Sequence, residues 1–169
     1  MTDDKRSYTL SELTAIFASF GADDPEGWAR SQLTEGINQL ARFFFLREAW
    51  KLIVSHADRS WIQREREEAA RAPRAPGAGS GAALERLLST GADEGDLTEI
   101  VRATQWQLLA GFCALLDDQS QIECGGLGIT WALFETDAAD MPIARIDGLH
   151  ESVLETDPAG LEMRSERPQ

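Results

Sequence analysis

In 169 residues the chain holds only two cysteines, Cys113 and Cys124, and two histidines, His56 and His150. The cysteines form no CxxC and have no second pair beside them, which argues against a zinc ribbon or a disulfide framework and fits a reducing, cytoplasmic compartment. Neither histidine has a Glu three residues before it, so the paired Glu-x-x-His motifs of a di-iron helical oxidase are missing. The sequence also lacks a GxxxxGK[ST] phosphate loop, a GxSxG nucleophile elbow, an HExxH zinc helix and a DxDxDG calcium loop. No cofactor and no metal are expected. No window of about 20 residues is apolar enough to span a bilayer, and the opening MTDDKRSYTL has no apolar run of signal-peptide type. No membrane partner is expected either.

Positive charge is the next shortage. Sixteen Lys and Arg stand against 29 Asp and Glu, for a net charge of −13. Residues 1–27 carry six acids and two bases, 28–75 six and nine, and 76–169 seventeen and five, so the excess is C-terminal. The one basic stretch, Arg59 to Arg74, is interleaved with Glu65, Glu67 and Glu68. Such a surface repels nucleic acid and favours a basic protein partner.

What is present is a set of apolar helical patterns. A hydrophobic fraction of 43%, with five Trp and seven Phe, is enough for one folded domain over 1–169. Thr9 and Glu12 have the form of a capping box ahead of Leu13, Ile16, Phe17 and Phe20, with Gly21 as the stop. Asp24 and Pro25 then open a helix expected to run to about residue 70, with a break or bend at the polar cluster Ser55, His56, Asp58, Arg59 and Ser60. In it Leu33, Ile37, Leu40 and Phe44 make one stripe, and Phe43, Leu46, Trp50, Ile53, Ala57 and Trp61 make a second. Two stripes on one helix require two packing partners. The charges Arg42, Arg47, Glu48 and Lys51 within Ile37 to Val54 rule out a membrane span there.

Residues 72–82, APRAPGAGSGA, read as a flexible Pro/Gly loop. A short helix around Leu84, Leu87 and Leu88 follows, ended by Gly91, and Asp96 with Glu99 starts a second long apolar helix to Asp117. The glycines of GGLG at 125–128 read as a turn before two strands, Ile129 to Phe134 and Ile143 to Ile146. A lone hairpin is marginal in water, so it should rest on the helices or take a third strand near Gln121 to Cys124. Residues 158–169 read as an irregular tail. The expected fold is α+β and mainly α: a helical bundle of two long apolar helices plus short helices, with a C-terminal antiparallel β-hairpin.

Ten acids and a single base, Arg145, lie between Asp117 and Asp157. Within this segment Asp147, His150, Glu151 and Glu155 are the candidate catalytic residues, because an Asp that orients a His makes a general base. The plainer reading has Asp147 as the N-cap of a short helix, with the carboxylates solvated. Cys113, between Leu109, Phe112 and Leu116, reads as core. A patch of Trp61 and Arg59, with Phe43 and Trp50 on the apolar helix, is the candidate interface, since aromatics and Arg concentrate at interface centres. The sequence therefore points to a non-enzymatic, acidic protein-interaction or regulatory module that self-associates through an apolar helix face. Two alternatives stand beside it: a small metal-assisted hydrolase built on Asp147, His150, Glu151 and Glu155, and a binder of a small apolar ligand through the Phe43 to Phe45 cluster.

Overall fold

The computed structural model describes residues 8–118 and 129–164, and shows a mainly helical chain with a C-terminal two-stranded antiparallel hairpin. Among the described residues the helices are α1 (Leu10–Ser19), α2 (Pro25–Glu35), α3 (Gln39–Trp50), α4 (Ser60–Arg71), α5 (Gly79–Ser89), α6 (Glu94–Asp117) and α7 (Leu149–Ser152). The strands are β1 (Leu133–Thr136) and β2 (Pro142–Ile146). Cys124, the GGLG turn and the third strand expected near 121–124 lie outside the described residues. The chain divides into two compact units, Met1–Trp50 with Leu109–Gln169, and Lys51–Leu108.

In the first unit, local signals set the ends of the early helices. Thr9 and Glu12 form a reciprocal capping box at α1, with Thr9 N–H on Glu12 Oε2 at 2.8 Å, and Gly21 takes φ +81° just past the other end. Asp24 Oδ1 accepts Gly27 N–H at 2.9 Å, with Pro25 in the first turn of α2. These caps deliver Leu13, Phe17, Trp28, Ala29 and Phe43 to one buried cluster. There Phe17 stacks on Trp28 with centroids 5.9 Å apart and meets Phe43 edge-on at 5.4 Å, a geometry that suits the ring quadrupoles.

A second cluster of the same unit joins Leu46, Cys113, Ile146, Leu149 and Val153. It brings together α3, the end of α6, β2 and α7. Burying each of its larger aliphatic side chains stabilises the fold by roughly 1.5–3 kcal/mol. The hairpin rests on this cluster through Leu133 and Ile146, which face each other across the strands. Its register shifts between Glu135 and Thr136, and Asp137 Oδ1 holds the turn by accepting Ala139 and Met141 N–H. Trp50 fixes the chain beyond α7, donating its indole N–H to the Val153 carbonyl at 2.8 Å.

The second unit is built on Trp61, Ile62 and Leu84, with Val54, Leu88, Leu97 and Val101 packed against them. Trp61 donates to Thr98 Oγ1 at 2.9 Å. The segment before α4 is tied to α6 by two bonds, Val54 N–H to Gln105 Oε1 at 2.8 Å and Arg102 to the Val54 carbonyl at 3.0 Å. Gly81 lets α5 approach α4, since a Cβ there would stand 2.5 Å from that of Ala69. Gly91, at φ +86°, closes α5 as its sequence implies.

Of the two long apolar helices expected, α6 alone is long, at 24 residues. The helix expected over 25–70 is three helices. Gly36 stops α2 in the left-handed region at φ +72°, and two α2 side chains then bind the start of α3, Gln32 Oε1 accepting Leu40 N–H and Ser31 Oγ accepting Gln39 Nε2. Arg59 stands as the N-cap of α4, after an interruption covering 51–59. The stretch 72–82 is also shorter as a loop than expected, because α5 begins at Gly79.

Candidate functional site

The four residues expected to carry chemistry all lie in the first unit, and the structure distributes them differently. His150 is about half exposed, with its side chain at 48%, and its ring Nδ1 lies 2.7 Å from Asp117 Oδ2. The same oxygen accepts the His150 backbone N–H at 2.8 Å. Asp117 is the last residue of α6 and its side chain is only 5% exposed. Its other oxygen, Oδ1, is buried without a hydrogen-bond partner among the described residues.

The carboxylate that orients His150 is thus Asp117, not Asp147. Asp147 lies 3.7 Å from Arg42 and 3.9 Å from Arg145, at the outer limit of an ion pair. Nor does it cap α7: Gly148 is the N-cap, at φ +67°, and the Arg42 guanidinium occupies the space a Cβ there would need. Glu151 and Glu155 are exposed. Among the described residues no group of three or more His, Cys, Asp or Glu is placed to hold a metal ion.

Cys113, one turn before Asp117 on α6, is fully buried, and burial together with the Asp117 charge pushes its thiol up to about 11. A thiol in that state stays protonated at neutral pH and is a poor nucleophile. The His150 and Asp117 pair therefore has no nucleophile supplied by the neighbouring cysteine.

The four candidate interface residues lie elsewhere than expected. Phe43, Trp50 and Trp61 are 4%, 2% and 9% exposed, and each is filled into the core of its own unit. Both tryptophans spend their indole N–H inside the chain. Arg59 is half-buried and turns back onto the His56 carbonyl. The Phe43 to Phe45 cluster is likewise occupied by the chain's own groups: Phe43 by Phe17 and Trp28, Phe44 by Phe20 at 4.6 Å, and Phe45 by the second cluster.

The apolar surface left open is on α6. Ile100 and Leu108 are each 63% exposed, Phe112 55% and Leu115 47%. At about 100° per residue these four fall within roughly a third of the helix circumference. Thr104, Gln107, Gly111 and Ala114 are the other exposed residues between them, so this face has no charge from Ile100 to Leu115. The one charged residue in that span, Arg102, is turned inward and 4% exposed. These four lie on the helix that the sequence marks simply as apolar, and no spacing signal separates a core stripe from an open one.

No helix among the described residues is long and apolar enough to cross a membrane. Compared with models of protein families, with curated proteins and with solved structures, the chain matches none.

Proposed function

We propose that the protein is a non-enzymatic, acidic interaction module that self-associates through the uncharged face of α6. The observation that carries this reading is the run of exposed Ile100, Leu108, Phe112 and Leu115 in a chain of net charge −13. Single exposed apolar residues are ordinary, but a continuous uncharged helix face about 24 Å long is the kind of surface that marks an interface. The absence of charge on the face suits a second copy as the occupant, since an uncharged apolar stripe is complementary to itself. Two copies that pair along this face keep their carboxylates in water, where their mutual repulsion is screened. The midpoint of the face lies at Gln107 and Leu108, so an antiparallel two-fold pairing sets it against itself over its full length. The remaining acidic surface is then free to meet a basic protein, as an inhibitor or adaptor would.

The test is a Leu108→Cys variant in a background with Cys113→Ser and Cys124→Ser. Mild oxidation is expected to give a disulfide-linked pair at low protein concentration, while Glu99→Cys in the same background, off the face, is not. Equal cross-linking at both positions would count against the reading.

The His150 and Asp117 pair favours a second reading, a small hydrolase with His150 as general base. It requires that His150→Ala abolish turnover of an ester or phosphoester substrate without unfolding the protein. A substrate screen with no His150-dependent hydrolysis sinks it.

A further inference from the structure

The last turn of a helix leaves carbonyls that no further turn receives, and at the end of α6 one of these, on Leu115, accepts the indole N–H of Trp131 at 2.9 Å. Leu115 is also the last residue of the open apolar stripe. Helix carbonyls point toward the C-terminus, so the bond sets the Trp131 ring just beyond that end of the stripe. Trp131 is 40% exposed, whereas Trp28, Trp50 and Trp61 are at most 9% exposed. With its one polar group spent on α6, the ring has only carbon to present outward. A large side chain already fixed in place loses little freedom when a partner covers it, and tryptophans of this kind are frequent anchors of interfaces.

At their observed exposure Ile100, Leu108, Phe112 and Leu115 make a patch of the order that ordinary monomers carry, roughly 300–600 Å². A stable interface covers roughly 800 Å² on each partner, so pairing along α6 has to extend past the ends of the stripe. An antiparallel two-fold centred on Gln107 and Leu108 sets Leu115 of one copy opposite Ile100 of the other. Trp131, held beyond Leu115, then meets the Ile100 end of the second copy, where Ile100 is 63% exposed. The two-fold makes this contact twice in each pair. Within one chain Ile100 and Leu115 are about 22 Å apart along α6, so the contact is one that two copies alone can make.

Given α6 as the self-associating face, the reading on which this rests, we propose that Trp131 anchors the interface between two copies by packing on the Ile100 end of the second copy's α6. The anchor lengthens the buried face at both ends and fixes the antiparallel register.

Sedimentation equilibrium and cross-linking of the full chain test it. Trp131→Ala is expected to raise the dimer dissociation constant about tenfold or more with unchanged circular dichroism. Trp131→Phe keeps a ring and loses the bond to Leu115, and is expected to raise it less. Equal weakening by the two variants, or weakening by neither, would overturn the proposal. Thr130→Cys leaves the indole in place, and it is read in the background Cys113→Ser with Cys124→Ser. There a mixture of the Thr130→Cys and Ile100→Cys proteins, treated with a short bismaleimide, is expected to give the mixed pair in excess over either like pair. Like pairs formed as readily as mixed ones, with Leu108→Cys still pairing with itself, would overturn the proposal and leave the α6 face standing. Failure of Leu108→Cys to pair with itself would overturn both.

Discussion

One oxygen of Asp117 holds His150 twice, through its backbone N–H at 2.8 Å and its ring Nδ1 at 2.7 Å, and so fastens α7 to the end of α6. A carboxylate with so little exposure contributes through these bonds, and bonds to a charged group stabilise by about 1.5–3 kcal/mol. Asp117→Ala is expected to lower the free energy of unfolding by about that amount in urea titration. His150→Ala should cost less, because the backbone bond survives. Equal and negligible losses for the two variants would show that the contact carries no stability.

Gly148 is the second sensitive point of this region. It combines a left-handed φ of +67° with the Arg42 guanidinium where a side chain would go. Gly148→Ala should therefore destabilise by about 1–3 kcal/mol, since strain and displacement of a nearly buried arginine add. Gly160 has a similar φ of +65° and nothing within 4 Å, so Gly160→Ala should lose only the strain part. Chemical unfolding of both variants separates the two contributions.

Asp58 sets a pH dependence at the start of α4. Hydrogen bonds from Ser60 and Arg64, with Ser60 the larger cause, hold its carboxyl down at about 2 against an ordinary 3.8. A carboxyl depressed in the folded state favours folding above its ordinary value, and that contribution fades as pH falls from about 4 through 2. An NMR titration should give an Asp58 midpoint near 2, moving up toward 3.8 in Ser60→Ala. A midpoint already at the ordinary value in the unmodified chain would refute the local network.

Cys113 offers a direct probe of core integrity. In Cys124→Ser protein the Cys113 thiol, buried and held protonated, should react with a disulfide reagent orders of magnitude more slowly than the unfolded chain does. Rapid reaction of the folded protein at neutral pH would mean that the second cluster opens readily.

The sequence made some of these features readable and others not, for identifiable reasons. Thr9 with Glu12, Asp24 with Pro25, and Gly91 act within a turn of themselves, and each helix end stands where such local chemistry puts it. The break between α2 and α3 was hidden, because the apolar spacing continues across Gly36 while the partners that secure it, Gln32 to Leu40 and Ser31 to Gln39, are eight residues apart. Asp147 is three residues from His150 in sequence, but the partner that reaches it is 33 residues away, a tertiary choice that no spacing rule encodes. Burial was the least legible property. Trp61, a candidate interface residue, is buried against Thr98, while Phe112, on a helix read as apolar, stands more than half open.

That open face makes sedimentation velocity across a concentration series the most direct measurement. A concentration-dependent species at twice the 18.6 kDa of one chain is expected. Leu108→Glu with Phe112→Glu, which places two charges on the face without touching the buried clusters, should return the chain to a monomer with unchanged circular dichroism. A monomer at every concentration for the unmodified protein, or a dimer that persists in the double variant, would contradict the claim that α6 is where this protein associates.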